Sequence, residues 1–252
     1  MKPIQSALPA FTFICAGILA SQSVQANPLP AGCDMREQAK LPLTFMEDMR
    51  PVLKATVNGS TVPMMLSTGA AESVVFNKKV LQRLGIDVRA SLSTMSSEDV
   101  RNPTGADLTR EISVATINDV SIGLGKSNSG VYKVEDFMDD SFGLRVGAGT
   151  LLQTDLEIAL DAGYLKSFKP EGCLRAHLAY WDPQAIAVPA MSDPGKRDTR
   201  MVFSAIIDGR RVAAMLSTAT PHSYIPKAAA VRLGLTPESP GARDPGLYRP
   251  LR

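Results

Sequence analysis

Two serine–threonine pairs, Ser67-Thr68 and Ser217-Thr218, are the first residues whose type and setting point to chemistry. Each follows a Met-Leu dipeptide and precedes a small residue, Gly69 in one case and Ala219 in the other. A serine becomes a nucleophile only when a base takes its proton and a third group orients that base. The chain has two histidines, His177 and His222. His222 lies five residues after Ser217, but no histidine occupies the same place after Ser67. Nothing in the spacing supplies an orienting carboxylate, so His222 reads as a structural or exposed residue. Glu72 is the acid nearest the first pair. It is expected in solvent at a helix start, where the helix dipole favours it, rather than in a cleft.

The pairs are held by a repeat. Residues 50–86 (RPVLKATVNGSTVPMMLSTGAAESVVFNKKVLQRLGI) return, one residue shorter, at 200–235 (RMVFSAIIDGRRVAAMLSTATPHSYIPKAAAVRLGL). Internal repetition of this kind governs the fold assignment. In the first copy, Leu53, Ala55 and Val57 alternate with Lys54 and Thr56, which predicts a half-buried strand. Asn58-Gly59 is a hairpin turn, because its two central positions need positive φ. The chain returns through 62–66, and Pro63, with no amide to donate, belongs at an edge or a strand start. The Ser-Thr loop follows, then a helix over 77–84 with Val80, Leu81 and Leu84 on one face and Gly85 as its stop.

Beyond the first copy, 91–110 is polar and turn-rich, either a mobile hairpin or a surface loop. Residues 111–117 and 120–124 alternate around Asn118-Asp119 as a second strand pair, and 130–137 is a further strand. Residues 146–154 read as a Gly-bounded strand end running into a helical turn, and 155–160 with 164–168 as a closing hairpin. Short strands at regular spacing predict a mainly β, barrel-like lobe over 50–168. Residues 169–199 form a linker expected to pack through Tyr180, Trp181 and Ile186. The second copy, 200–252, has no counterpart of 91–168. A lone half of this kind leaves strand edges unpaired unless the first lobe or another chain covers them.

A formal charge of +2 without a Lys/Arg run gives no basis for nucleic-acid binding. Three cysteines without CxxC spacing and two histidines support neither a zinc site nor another metal centre, and no cofactor motif is present. Residues 1–26 carry Lys2, an apolar run over 7–20 and Val24-Gln25-Ala26, the pattern of a secretory signal peptide. Its removal predicts an exported, periplasmic protein with no stable membrane insertion, and leaves residues 27–49 as an extended N-terminal arm. It also removes Cys15. Cys33 and Cys173 then either form a disulfide or stay as two free thiols; an even pair in an exported chain favours the bridge.

Strand, Asn/Asp-Gly turn, strand, Leu-Ser-Thr-Gly-Ala loop, short helix and a later Val146-Gly147 element together resemble the retropepsin-like aspartic proteases. The layout is most similar to exported bacterial members with two lobes in one chain. The resemblance covers residues 50–168 as a full lobe and 200–235 as a partial one. It implies that 91–110 is the substrate-covering flap and that Val146-Gly147 crosses beneath the active-site loop. It also implies that Thr68 and Thr218 hydrogen-bond across the lobes, rather than only to local backbone. In that family the loop reads Asp-Thr-Gly or Asp-Ser-Gly, and two such carboxylates share one proton. Ser67 and Ser217 stand at those positions, and a hydroxyl is neither a strong base nor a titrating acid. No catalytic residue of the family is therefore intact. Ala219 replaces the second loop glycine, and its Cβ is expected to tighten a close approach. The expected protein is an inactive relative that binds peptide or unfolded protein. The alternatives are an active endopeptidase drawing acids from elsewhere and a structural or interaction protein that reuses the fold.

Overall fold

The computed structural model describes residues 29, 31–95, 108–123, 125–173, 179, 182, 184–191 and 199–240. Residues 1–26, read above as a signal peptide, the tip of the 91–110 segment, His177, Tyr180, Trp181 and the last residues of the tail lie outside them.

The fold is mainly β. The first strands are β1 (Asp34–Pro42), β2 (Thr44–Phe45), β3 (Pro51–Val57), β4 (Ser60–Ser67) and β5 (Val74–Asn77), followed by helix α1 (Lys78–Arg83). Then come β6 (Arg89–Met95), β7 (Leu108–Ile117), β8 (Val120–Ile122), β9 (Gly125–Ser127), β10 (Gly130–Glu135) and β11 (Leu144–Gly147), which leads into α2 (Ala148–Leu151). The first lobe ends with β12 (Asp155–Ala159) and β13 (Tyr164–Glu171). The second copy supplies β14 (Val202–Ile207), β15 (Arg210–Met215) and α3 (Lys227–Arg232).

A ten-stranded sheet runs β6-β7-β10-β5-β11-β4-β3-β8-β9, with β2 on β3. Its inner face buries Leu53, Leu66, Phe76, Leu81, Ile117, Leu144 and Val146 in one core. On the other face a smaller cluster gathers Val52, Met65, Val75, Phe137 and Phe142. Strand β3 is thus buried on both faces at its start, beyond the single apolar face its alternation predicts. The turn residues Asn58 and Gly59 have φ of 47° and 80°, and Asp208 and Gly209 repeat this at 48° and 75°. Asn77 caps α1 by accepting from the Lys79 amide (3.2 Å). Pro63 sits one position before β11 joins β4 at Met64, so its missing amide leaves no ladder bond unmade.

Several expectations change. The segments around Asn118-Asp119 do not pair with each other: β7 lies between β6 and β10, while β8 pairs with β3 and β9. Here the chain crosses between distant parts of the sheet, and Asn58 Oδ1 accepts from the amides of Asn118 and Asp119 (3.2 and 3.1 Å). The closing hairpin β12–β13 pairs with neither edge of the large sheet, although its Leu165 is buried in that sheet's core. It forms a separate three-stranded sheet with β1, so the stretch read as an extended arm carries an edge strand paired with β13. Cys33 and Cys173 are joined by a disulfide at the end of that pairing. Ile186 is exposed instead of packed, because the linker brings no apolar partner to it among the described residues.

Candidate active-site cleft

The Leu-Ser-Thr loop of each copy leaves the second strand of its hairpin and turns back at once. In the first copy, the loop from Ser67 to Ser73 rests on Gly147. The Gly147 amide donates to Ser73 O and the Ala148 amide to Ala70 O, both at 2.8 Å. A Cβ on Gly147 would come 1.9 Å from Glu72 O, so only glycine lets β11 pass beneath this loop. Strand β6 pairs antiparallel with β7, which makes the 91–110 segment a hairpin at its described base.

The two loops meet through their threonines. Thr68 Oγ1 donates to Leu216 O (2.9 Å) and accepts from the Thr218 amide (3.2 Å). Thr218 Oγ1 donates to Leu66 O (2.8 Å) and accepts from the Thr68 amide (3.2 Å). The bonds are reciprocal, so the copies are related by an approximate two-fold through this point. Ser217 packs against Gly69: a Cβ there would lie 2.7 Å from Ser217 Cβ. Space, and not positive φ, is what demands glycine at position 69. Ala219 instead turns its methyl onto the Val52–Phe142 cluster, so it fills apolar space where a tightened backbone approach was expected.

Between the loops lies a cavity of about 530 Å³, bordered by both serines, Gly69 and Ala219. The Ser217 hydroxyl accepts from the Ala219 amide (3.3 Å), a local turn bond. The charged groups of the cavity wall come from the first loop itself and from other segments. Glu72 lies in the loop before β5, away from any helix start, and pairs with Lys133 (3.2 Å) and Arg145 (3.5 Å). Its expected place in free solvent at a helix N-terminus is therefore corrected: it lines the cleft. Glu135 shares both cations, at 2.6 and 3.5 Å. Burial raises the Glu72 pKa, but its own backbone amide, Lys133 and Arg145 outweigh this and hold it below the usual carboxylate value.

Arg50 is buried beneath the same wall and bonds Asp48 and Asp139, each at 2.6 Å. Burial pushes Asp139 up, yet the hydrogen bonds from Ser141 and the Arg50 guanidinium bring it below the ordinary aspartate value. Asp48 is lowered chiefly by its bond to Arg50. The acids of this wall are thus ion-paired, whereas a proton-sharing dyad needs two carboxylates forced together. Sequence reasoning did not single out Arg50, Asp139, Glu135 or Arg145. One signal was available: both copies open on an arginine, and Arg50 and Arg200 both border the cavity.

Residues 53–128 match the aspartyl protease family model. Among solved structures, one similar chain is a retropepsin-like aspartic protease from Rickettsia conorii. It is 18% identical, the match covers 57% of this chain and 98% of that one, and the TM-score is 0.35. No curated protein gives a significant match.

Proposed function

From a chain whose first lobe is retropepsin-like, we propose a non-proteolytic, exported protein that holds an extended peptide or unfolded segment in the cleft between its two copies. The observation that carries this reading is the pair facing the cavity, Ser67 and Ser217. Peptide hydrolysis on this fold requires one group to take a proton from water while another donates to the carbonyl. Two neutral hydroxyls do neither, and Glu72 and Asp139 are stabilised as anions by their cations. What remains is a groove with an apolar side, Met65, Phe137 and Phe142, and a charged side, Glu72, Glu135 and Arg145. Such a surface suits a peptide with mixed side chains. Export follows from residues 1–26, with cleavage after Ala26. Among the described residues no helix is long and apolar enough to cross a membrane.

The test is retention without turnover. A labelled unstructured peptide is incubated with the purified protein, separated by size and weighed. The expected result is co-elution with recovery at intact mass. Fragments would refute the loss of chemistry, and no co-elution would remove the binding role and leave a structural one.

A further inference from the structure

Lys133 of β10 and Arg145 of β11 both stand opposite Val75 of β5, one on each side of it. Val75 is buried with Phe137 and Phe142, so two cations flank an apolar floor. Lys133 is held closely, 3.2 Å from Glu72 and 2.6 Å from Glu135. Arg145 is not. It makes one hydrogen bond, from Nη2 to Glu135 Oε2 at 3.5 Å, longer than such bonds ordinarily are, and it approaches Glu72 only to 3.5 Å. Among the described residues, its Nε and Nη1 have no hydrogen-bond partner. Yet the side chain is only 18% exposed, with its guanidinium carbon 5.1 Å from the centre of the Phe137 ring. Arg50, in the same cavity wall, is the contrast. Its Nε and Nη2 donate to Asp48 and Asp139 at 2.6 Å, and its Nη1 to the Met65 sulfur at 3.4 Å. Arg50 is satisfied by the fold, whereas Arg145 borders the cavity with donors open.

Resting on the reading of the cleft as a peptide site, we propose that this wall selects a carboxamide side chain, asparagine or glutamine, in the peptide held there. Glu72 and Glu135 balance Lys133 and Arg145, so the four groups together are neutral. A ligand carboxylate drawn to Arg145 meets both glutamates, whose oxygens stand 3.5 Å from the same guanidinium nitrogen. A ligand ammonium drawn to the glutamates meets Lys133 and Arg145 in turn. Like charges at this range, in a wall largely shielded from water, disfavour both. A carboxamide is uncharged and carries an acceptor and a donor side by side. Its oxygen accepts from Arg145 Nε or Nη1, and its NH2 donates to Glu72 or Glu135. A main-chain peptide group cannot make this pair of contacts, because its trans geometry points C=O and N–H in opposite directions. An aliphatic side chain leaves the open donors of Arg145 covered and unmatched, which is costly. Phe137 and Phe142, which border the same cavity, take the adjacent apolar residue.

The probes are fluorescent peptides, Ala-Ala-Gln-Phe-Ala-Ala and Ala-Ala-Phe-Gln-Ala-Ala, each also made with Glu, Lys or Leu in place of Gln. They are titrated with the purified protein and followed by anisotropy. In at least one order, the glutamine peptide is expected to bind about tenfold or more tighter than the other three. Equal binding of all four, or tightest binding of the Glu, Lys or Leu peptide in both orders, would overturn the carboxamide assignment and leave peptide holding in the cleft intact. No saturable binding of any peptide would remove both. Arg145→Met keeps much of the side chain's reach without its donors and is expected to bring the glutamine and leucine peptides level. A glutamine preference that persists in this variant would take Arg145 out of the assignment. The series on the unaltered protein decides the selectivity even where the variant does not fold.

Discussion

Thr68 carries more of this molecule than its size suggests. It is completely buried, and its hydroxyl both donates to and accepts from the other copy. Thr68→Val keeps the shape and removes two of the four reciprocal bonds, leaving Leu216 O and the Thr218 amide unmatched. A buried group stripped of its partner costs about 1–3 kcal/mol. Amide exchange at Thr218 is expected to accelerate by the corresponding factor, while Thr68→Ser, which retains the hydroxyl, stays near the parent rate. The Arg50 anchor gives a second prediction. Asp48 and Asp139 have folded pKa values below 3.8, the ordinary value. Their contribution to stability is complete above that value and is lost as pH falls through the lower, folded ones. Thermal stability is expected to drop on acidification below this point, and to drop less in Asp139→Asn. An equal drop in both would remove the anchor from the account.

At the level of elements, local signals were read well and pairing was not. The Asn58-Gly59 and Asp208-Gly209 turns and the α1 face were legible, because each depends on a few adjacent residues, whereas the Gly147 crossing came only from the family resemblance. Asn118-Asp119 has the look of a hairpin, yet its strands leave for different partners. Pairing is decided by the sheet as a whole, and alternation alone does not name the neighbour. Strand β1 escaped notice for a related reason. Its partner β13 is about 130 residues away, and one shallow three-stranded layer leaves it only weakly alternating. The Cys33–Cys173 bridge compensates for this long closure, since a cross-link over 140 residues removes much of the unfolded chain's freedom. Cys33→Ser is expected to cost about 2–5 kcal/mol in a denaturant titration and to free β1 first. Unchanged stability in the variant would mean that β1–β13 pairing holds without it.

Across the whole molecule the two copies are unequal. The first copy has a core; no residue between 200 and 240 is buried, and the half-lobe is held at the threonine contact. The two loops that border the cleft were legible from Ser67 and Ser217. The cleft's charged wall was not, since Glu72, Glu135, Asp139 and Arg145 come together only after folding. A cavity whose acids are ion-paired and whose central pair is two hydroxyls should bind without cutting. The most direct measurement is prolonged incubation of the purified protein with an unstructured protein substrate from acid to neutral pH, with fragments resolved by mass. The account predicts none. Fragments that disappear with a transition-state mimic of the peptide bond, and also in a Ser67→Ala variant, would contradict it.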